Sequence, residues 1–104
     1  MKDFFGRLES FIIGCQEIVD ENNKQFEYVQ RPKVVYTKGR KYIKVIREES
    51  GQGQSVHCFV NIQTGDVLKA ASWKAPAKHA RGNIFNDDNG LNCMGPYGAA
   101  YLNK

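Results

Sequence analysis

The residue types best suited to chemistry lie in one short run, residues 73–85. This run holds the only tryptophan of the chain, a histidine, and the three fixed positive charges of Lys74, Lys78 and Arg81. In proteins that bind nucleic acids, cationic side chains hold the phosphates and neighbouring aromatic rings stack on the bases. The run and the lysine before it therefore predict a site for a phosphate-bearing ligand, formed by Lys69, Trp73, Lys74, Lys78, His79, Arg81 and Asn83.

Proline and glycine within this run predict a short helix. Pro76 is tolerated in a first helical turn, and Gly82 can adopt the left-handed conformation that ends a helix. Lys78 and Arg81 would then share one face, next to a helix N-terminus whose free N–H groups attract phosphate. A second interpretation remains open, in which Trp73 anchors the core and the cations only solvate a loop.

Charge is distributed unevenly along the 104 residues, which we expect to form a single domain, 1–104. Residues 1–30 hold three bases and six acids, a net charge of −3, whereas residues 31–81 hold eleven bases and three acids, a net charge of +8. A strongly basic segment on a small domain favours a polyanionic partner, nucleic acid first.

The three cysteines form no Cys-x-x-Cys pair, and the two histidines are far apart in the sequence. This spacing argues against a disulfide framework and a structural zinc site, so we expect no metal, no cofactor and a reducing compartment. No apolar run approaches the ~20 residues of a membrane span. A Cys/His nucleophile pair is disfavoured, because neighbours such as His57 and Cys58 point to opposite faces of a strand, and no pattern brings His79 to Cys93. We therefore expect a protein that is not an enzyme.

Hydrophobic periodicity predicts an α+β fold. Residues 3–23 carry apolar side chains at three- and four-residue steps, the pattern of an amphipathic helix, at Phe4, Leu8, Phe11, Ile12, Cys15, Ile18 and Val19. An antiparallel meander of about four strands follows at 33–37, 41–47, 55–62 and 67–72, with a further edge strand beginning near 26–29. The helix would cover one face of this sheet, and residues 91–104 would close the domain as an irregular segment.

Alternation within the strands predicts a second, non-core face of the sheet. Cys58 and Val60, together with Val56 and Ile62, are assigned to the core, and Leu68 and Ala70 are assigned with them. Aromatic and cationic side chains then share the other face, at Tyr42, Lys44, His57, Phe59, Lys69 and Trp73. Such a face could stack the bases of a single strand, or it could be covered by the C-terminal segment.

Motifs in the sequence resemble those of two protein families. The order helix, meander and Lys-x-x-x-Lys, at Lys74 and Lys78, resembles a double-stranded-RNA-binding domain, which implies phosphate contacts there and groove contacts by residues 52–57. The chain departs from that family in its Gly-Gln-Gly-Gln loop and in lacking a long second helix. The motifs at 55–60, 64–67, 69–78 and 81–83 resemble small uncharacterised proteins of tailed bacteriophages, which implies the cytoplasm of an infected bacterial host.

Together these patterns predict a small basic accessory protein of phage type. It would bind nucleic acid, or a nucleotide, without catalysis. The alternative is a phage protein that binds and inhibits a host or defence protein through its acidic helix or its apolar C-terminus.

Overall fold

The computed structural model describes residues 3–23, 33–49, 53–95 and 98–99. Its elements in chain order are α1 (Phe4–Asn23), β1 (Lys33–Lys38), β2 (Tyr42–Glu49), β3 (Gly53–Asn61), β4 (Asp66–Ala70), β5 (Pro76–Asn83), a 3-10 turn (Leu91–Cys93), β6 (Met94–Gly95) and β7 (Gly98–Ala99). Strands β1 to β5 form one antiparallel sheet in sequence order, and β6 pairs with β7. The predicted α+β class, one helix on a meander, is confirmed. The edge strand expected at 26–29 lies outside the described residues.

Helix α1 begins at a capping residue and buries one stripe. The Asp3 carboxylate accepts a hydrogen bond from Gly6 N at 3.0 Å, which satisfies one of the free N–H groups of the first turn. The predicted apolar stripe faces the sheet, where it packs against strand residues that include Val34, Ile43, Val45, Val60 and Val67. Burial of this stripe is what holds the helix to the sheet.

Polar contacts fix the helix at both sides of the sheet. Gln16 Oε1 accepts a hydrogen bond from Val34 N in the edge strand β1 at 2.8 Å. Arg7 Nε donates to Ile84 O, just after β5, at 2.8 Å. The helix therefore spans the sheet from its first strand to its last.

The helix predicted for 76–81 is wrong, because this segment is strand β5. Pro76 lies opposite Ala70, and Ala80 lies opposite Leu68, with shifts of register on both sides of Leu68. Lys78 and His79, between Pro76 and Ala80, are exposed. An isolated helix of a turn and a half is marginal, whereas pairing with β4 satisfies backbone groups that a sheet edge would leave open. Residues 76–83 therefore provide no helix terminus for phosphate, and they do not form the second helix of a double-stranded-RNA-binding domain.

A bulge in β3 changes which side chains face the core. Val45 pairs with Cys58. The next residue of β2, Ile46, pairs with Val56, which leaves His57 as an extra residue in β3. Because one extra residue reverses the alternation, Val56 lies on the side of the sheet away from the helix. Its assignment to the helix-side core was wrong.

The faces of β4 are also reversed relative to the prediction. Val67 lies opposite Val60 and is fully buried in the core beneath the helix. Leu68 lies opposite Phe59, on the other side of the sheet. Successive strand residues alternate, so Lys69 points away from the face that carries Phe59.

The turn after β3 is joined to the end of β5 by the Asn83 side chain. Asn83 Nδ2 donates to Thr64 O at 2.9 Å and to Asp66 Oδ1 at 3.0 Å, and Asn83 Oδ1 accepts from Phe85 N at 2.8 Å. Gly65 in this turn has φ of 81°, and a Cβ there would lie 2.6 Å from the Phe85 ring. The turn therefore requires glycine at 65 and an amide at 83.

The first prediction concerns Asn83. Replacing it with alanine removes a donor and an acceptor whose partners are two main-chain groups and the Asp66 carboxylate, so Asn83→Ala should lower the free energy of unfolding by roughly 1–2 kcal/mol. Urea denaturation measures this, with Asn92→Ala, at an exposed position, as the control. An Asn83 variant as stable as wild type would show that these bonds contribute nothing.

The imidazole of His57 is buried at the bulge. It is 2% exposed, and neither ring nitrogen has a hydrogen-bond partner among the described residues. Burial, and secondarily the nearby charge of Arg47, lowers the pKa of His57 from 6.5 to about 4. The ring is therefore neutral in the folded protein at pH 7.

The second prediction follows from this pKa. Between about pH 6.5 and about pH 4 the unfolded chain binds a proton that the folded chain does not. The contribution of His57 to stability is therefore complete above pH 6.5, and on the order of 3 kcal/mol is lost as the pH falls through this window. Urea denaturation across the window should show the loss.

Two variants identify the group responsible. His57→Leu removes the titrating ring and two unsatisfied nitrogens, so it should flatten the pH dependence without loss of stability at pH 7. His79→Leu, at an exposed strand position, is the control for replacing a histidine with leucine. An unaltered slope in His57→Leu would contradict the assignment.

Candidate phosphate-binding groove

A groove of about 330 Å³ lies where β1 turns into β2. We call it the basic groove. It is lined by Thr37, Lys38, Gly39, Arg40, Lys41, Tyr42, Lys44, Phe59 and Lys74. Five of these residues are cationic, and none of the described lining residues is acidic. The groove therefore concentrates positive charge on a small concave surface, which favours anions.

The tight β1–β2 turn places three of the cations. Gly39 N donates to Tyr42 O at 2.9 Å and closes the turn, which leaves Lys38, Arg40 and Lys41 exposed at its tip. Beyond the turn the strands run in register, so Thr37 lies opposite Lys44 on the same side of the sheet. The turn and the first strand pair thus place Arg40, Lys41 and Lys44 at one groove, whereas the Lys38 ammonium lies over the Phe5 ring of α1.

An aromatic pair lies in the groove beside the cations. The rings of Tyr42 and Phe59 pack edge to face with centroids 6.0 Å apart, and Lys41 Nζ lies 5.6 Å from the Tyr42 centroid. Phe59 is only 3% exposed, so its ring supports Tyr42 and is not itself open to a base. Tyr42 is half-buried and keeps part of its ring accessible.

The β4–β5 turn brings Trp73 to the same side. Ser72 Oγ accepts hydrogen bonds from Lys74 N and Ala75 N, at 3.3 and 3.2 Å, which folds residues 71–75 into a compact turn. Lys44 Nζ lies 4.3 Å from the centroid of the Trp73 ring, a cation–π contact. Trp73 is 45% exposed, so a large part of the residue remains available for contact while Lys44 packs against the ring.

The structure brings some predicted site residues together and separates others. Tyr42, Lys44, Phe59, Trp73 and Lys74 meet at or beside the basic groove. The remaining candidates do not line it: Lys69, Lys78 and His79 are exposed on β4 and β5, Arg81 is half-buried, Asn83 holds the turn, and His57 is buried.

Sequence reasoning missed Lys38, Arg40 and Lys41 as site residues. The predicted strands at 33–37 and 41–47 left residues 38–40 as a connecting turn, and no binding role was assigned to that turn or to Lys41. The available signal was three cations within four positions at a hairpin tip, next to Lys44 on the outer face. A hairpin tip always lies at the end of its strands, so its side chains can border a site formed by either face.

The cysteines lie outside the groove. Cys15, Cys58 and Cys93 are free and buried, and burial raises the pKa of each thiol, which keeps them protonated at neutral pH. Protonated buried thiols are poor nucleophiles. Within the described ranges, no cluster of three or more His, Cys, Asp or Glu side chains could hold a metal ion.

Comparisons with known proteins give a family but no function. Among the described residues, no helix is long and apolar enough to cross a membrane. No curated protein and no solved structure matches the chain. A family model matches residues 8–100, a range that contains most of α1 and every strand. The chain therefore belongs to DUF7717, a family of unknown function.

Proposed function

We propose that this protein binds nucleic acid through the basic groove and does not catalyse a reaction. The observation that carries the proposal is the placement of Arg40, Lys41, Lys44 and Lys74 along one groove whose described lining contains no acid. Phosphate contacts of this kind supply most of the affinity of a protein for a nucleic-acid backbone.

The aromatic residues favour a single strand over a duplex. Trp73 is exposed beside the groove, and Lys44 holds it in place from one direction. A base can stack on an exposed ring only when it has left its neighbours in the duplex. We therefore propose that phosphates lie along the cations while one base stacks on Trp73. A mononucleotide would use the same contacts with fewer phosphates.

The setting of this activity is part of the proposal. The likeness of the motifs in β3, β4 and β5 to proteins of tailed bacteriophages supports action in the cytoplasm of an infected bacterium. Binding to single-stranded nucleic acid there would need no further cofactor, since the contacts are those of charge and stacking.

The third prediction tests the cations. Lys41 and Lys74 are exposed and come from different turns, so Lys41→Ala/Lys74→Ala should leave the fold intact. We expect its affinity for a single-stranded oligonucleotide to fall about ten-fold or more at low salt. The slope of log K against log salt should decrease by about 1.4, at about 0.7 for each lost phosphate contact. Fluorescence anisotropy of a labelled oligonucleotide measures both quantities.

A matched variant separates the groove from net charge. Lys69→Ala/Lys78→Ala removes the same charge from exposed positions that do not line the groove. We expect it to bind nearly as well as wild type. Equal losses for the two pairs would contradict a localised site. Failure of the folded wild-type protein to bind DNA, RNA or mononucleotides would overturn the proposal and favour a protein partner.

The fourth prediction concerns Trp73. Its replacement by alanine should weaken binding of a single strand by about 1–3 kcal/mol, the loss expected for one base–aromatic stack. Inorganic polyphosphate has phosphates but no bases, so its affinity should be unchanged in Trp73→Ala. Equal losses for both polymers would show that Trp73 supports the groove and does not stack on a base. Trp73→Phe should restore part of the binding to the oligonucleotide.

A further inference from the structure

The outward face of α1 carries an exposed apolar residue between two carboxylates. Ile13 is 61% exposed, although the opposite side of the same helix is buried in the core. Glu9 and Glu17 lie four residues before and after it and are also exposed. Positions spaced by four residues are neighbours on a helix surface. The outward face of α1 therefore presents one protruding apolar side chain with a negative charge on each side.

This face differs from the other exposed apolar surface of the helix. Phe5 is partly covered by Lys38, whose Nζ lies 5.5 Å from its ring centroid. No described contact covers Ile13 in this way. A single exposed apolar side chain is common on protein surfaces, so the two carboxylates around Ile13 are the feature that favours a partner, and they favour a positively charged one.

The basic groove has the complementary features. It is concave, its aromatic residue Tyr42 is partly accessible, and its rim carries cations from two turns, including Lys41 and Lys74. An apolar side chain could enter the groove while flanking carboxylates reach the ammonium groups on the rim. The groove is therefore opposite in charge to the face around Ile13, and its concave form suits a protruding apolar side chain.

We propose that the face formed by Glu9, Ile13 and Glu17 docks into the basic groove of a second copy of this chain. The helix covers the core face of the sheet, whereas Lys44 and Phe59 of the groove lie on the other face. One molecule can therefore use both surfaces at once. Such a contact is heterologous, so it adds molecules head to tail and leaves one free helix and one free groove at the ends.

The contact is small and largely electrostatic. One helix face on one groove is at the low end of interface size, which gives weak association that salt reduces further. Nucleic acid would occupy the groove in competition with the helix. We therefore expect self-association at high protein concentration and low salt, and its loss when an oligonucleotide is added.

The experiment uses charge reversal on each surface. The helix variant is Glu9→Lys/Glu17→Lys, and the groove variant is Lys41→Glu/Lys74→Glu. All four positions are exposed, so both variants should keep the wild-type circular dichroism spectrum. In sedimentation experiments each variant alone should associate at least about ten-fold more weakly than wild type, because like charges would meet at every contact. Asp87→Lys, an exposed acid outside the helix, should associate like wild type.

Mixing the two variants provides the decisive measurement. In a mixture, the acidic helix of the groove variant can meet the basic groove of the helix variant, and the converse pair is also complementary. We expect equimolar mixing to restore association that neither variant shows alone. A wild-type protein that stays monomeric at all concentrations, or a mixture that stays monomeric, would overturn the proposal. The helix face would then be expected to bind a different protein with a basic surface.

Oligonucleotide binding distinguishes this proposal from the proposed function. The helix variant retains the whole groove, so it should bind a single strand at least as tightly as wild type. Normal binding with no self-association in the wild type would overturn only the docking proposal. Self-association restored by mixing, with no binding to any nucleic acid, would overturn only the proposed function.

Discussion

The pairing of β5 with β4 is the interaction on which the remainder of the structure depends. It brings the chain back after Ala70, and the turn it creates places Trp73 and Lys74 next to Lys44. Its far end positions Ile84, which is fully buried and whose carbonyl oxygen accepts from Arg7. The β4–β5 hairpin therefore contributes to both the core and the groove. One end of it holds the helix through Ile84, and the turn at the other end carries Trp73.

The helix and the first strands could be predicted because their signals are local. Leu8, Phe11, Cys15 and Val19 follow helical spacing, and all four are buried. The turns between the strands were also visible in glycine and polar residues. The predictions were wrong where pairing between strands, and not the local sequence, determined the structure. Pro76 and Gly82 suit a helix and a strand edge equally well, and only the open edge of β4 selects the strand. Alternation likewise assigned Val56 wrongly, because no local signal marks the extra residue at His57.

The candidate site was partly predictable for a related reason. Trp73 and Lys74 were recognised by residue type, since cations and aromatic rings are recognisable in any sequence, and Lys44 was assigned to the outer face by the alternation of its strand. Their meeting depends on two turns from different hairpins, and that depends on sheet order. The hairpin tip at 38–41 was overlooked because each of its residues is also an ordinary turn or edge residue. Buried Phe59 shows the opposite error, since a strand pattern cannot tell a covered ring from an open one.

The three cysteines have a consequence that follows from their placement. Cys15 belongs to α1, Cys58 to β3 and Cys93 to the 3-10 turn, and all three thiols are enclosed by the same core. Each sulfur is thus shielded by a different part of the chain from any reagent in the solvent. Modification by an alkylating agent must wait for that part to open, so the three labelling rates report the local opening of helix, sheet and C-terminal segment separately. The native sequence therefore contains one cysteine probe in each of these three parts of the chain.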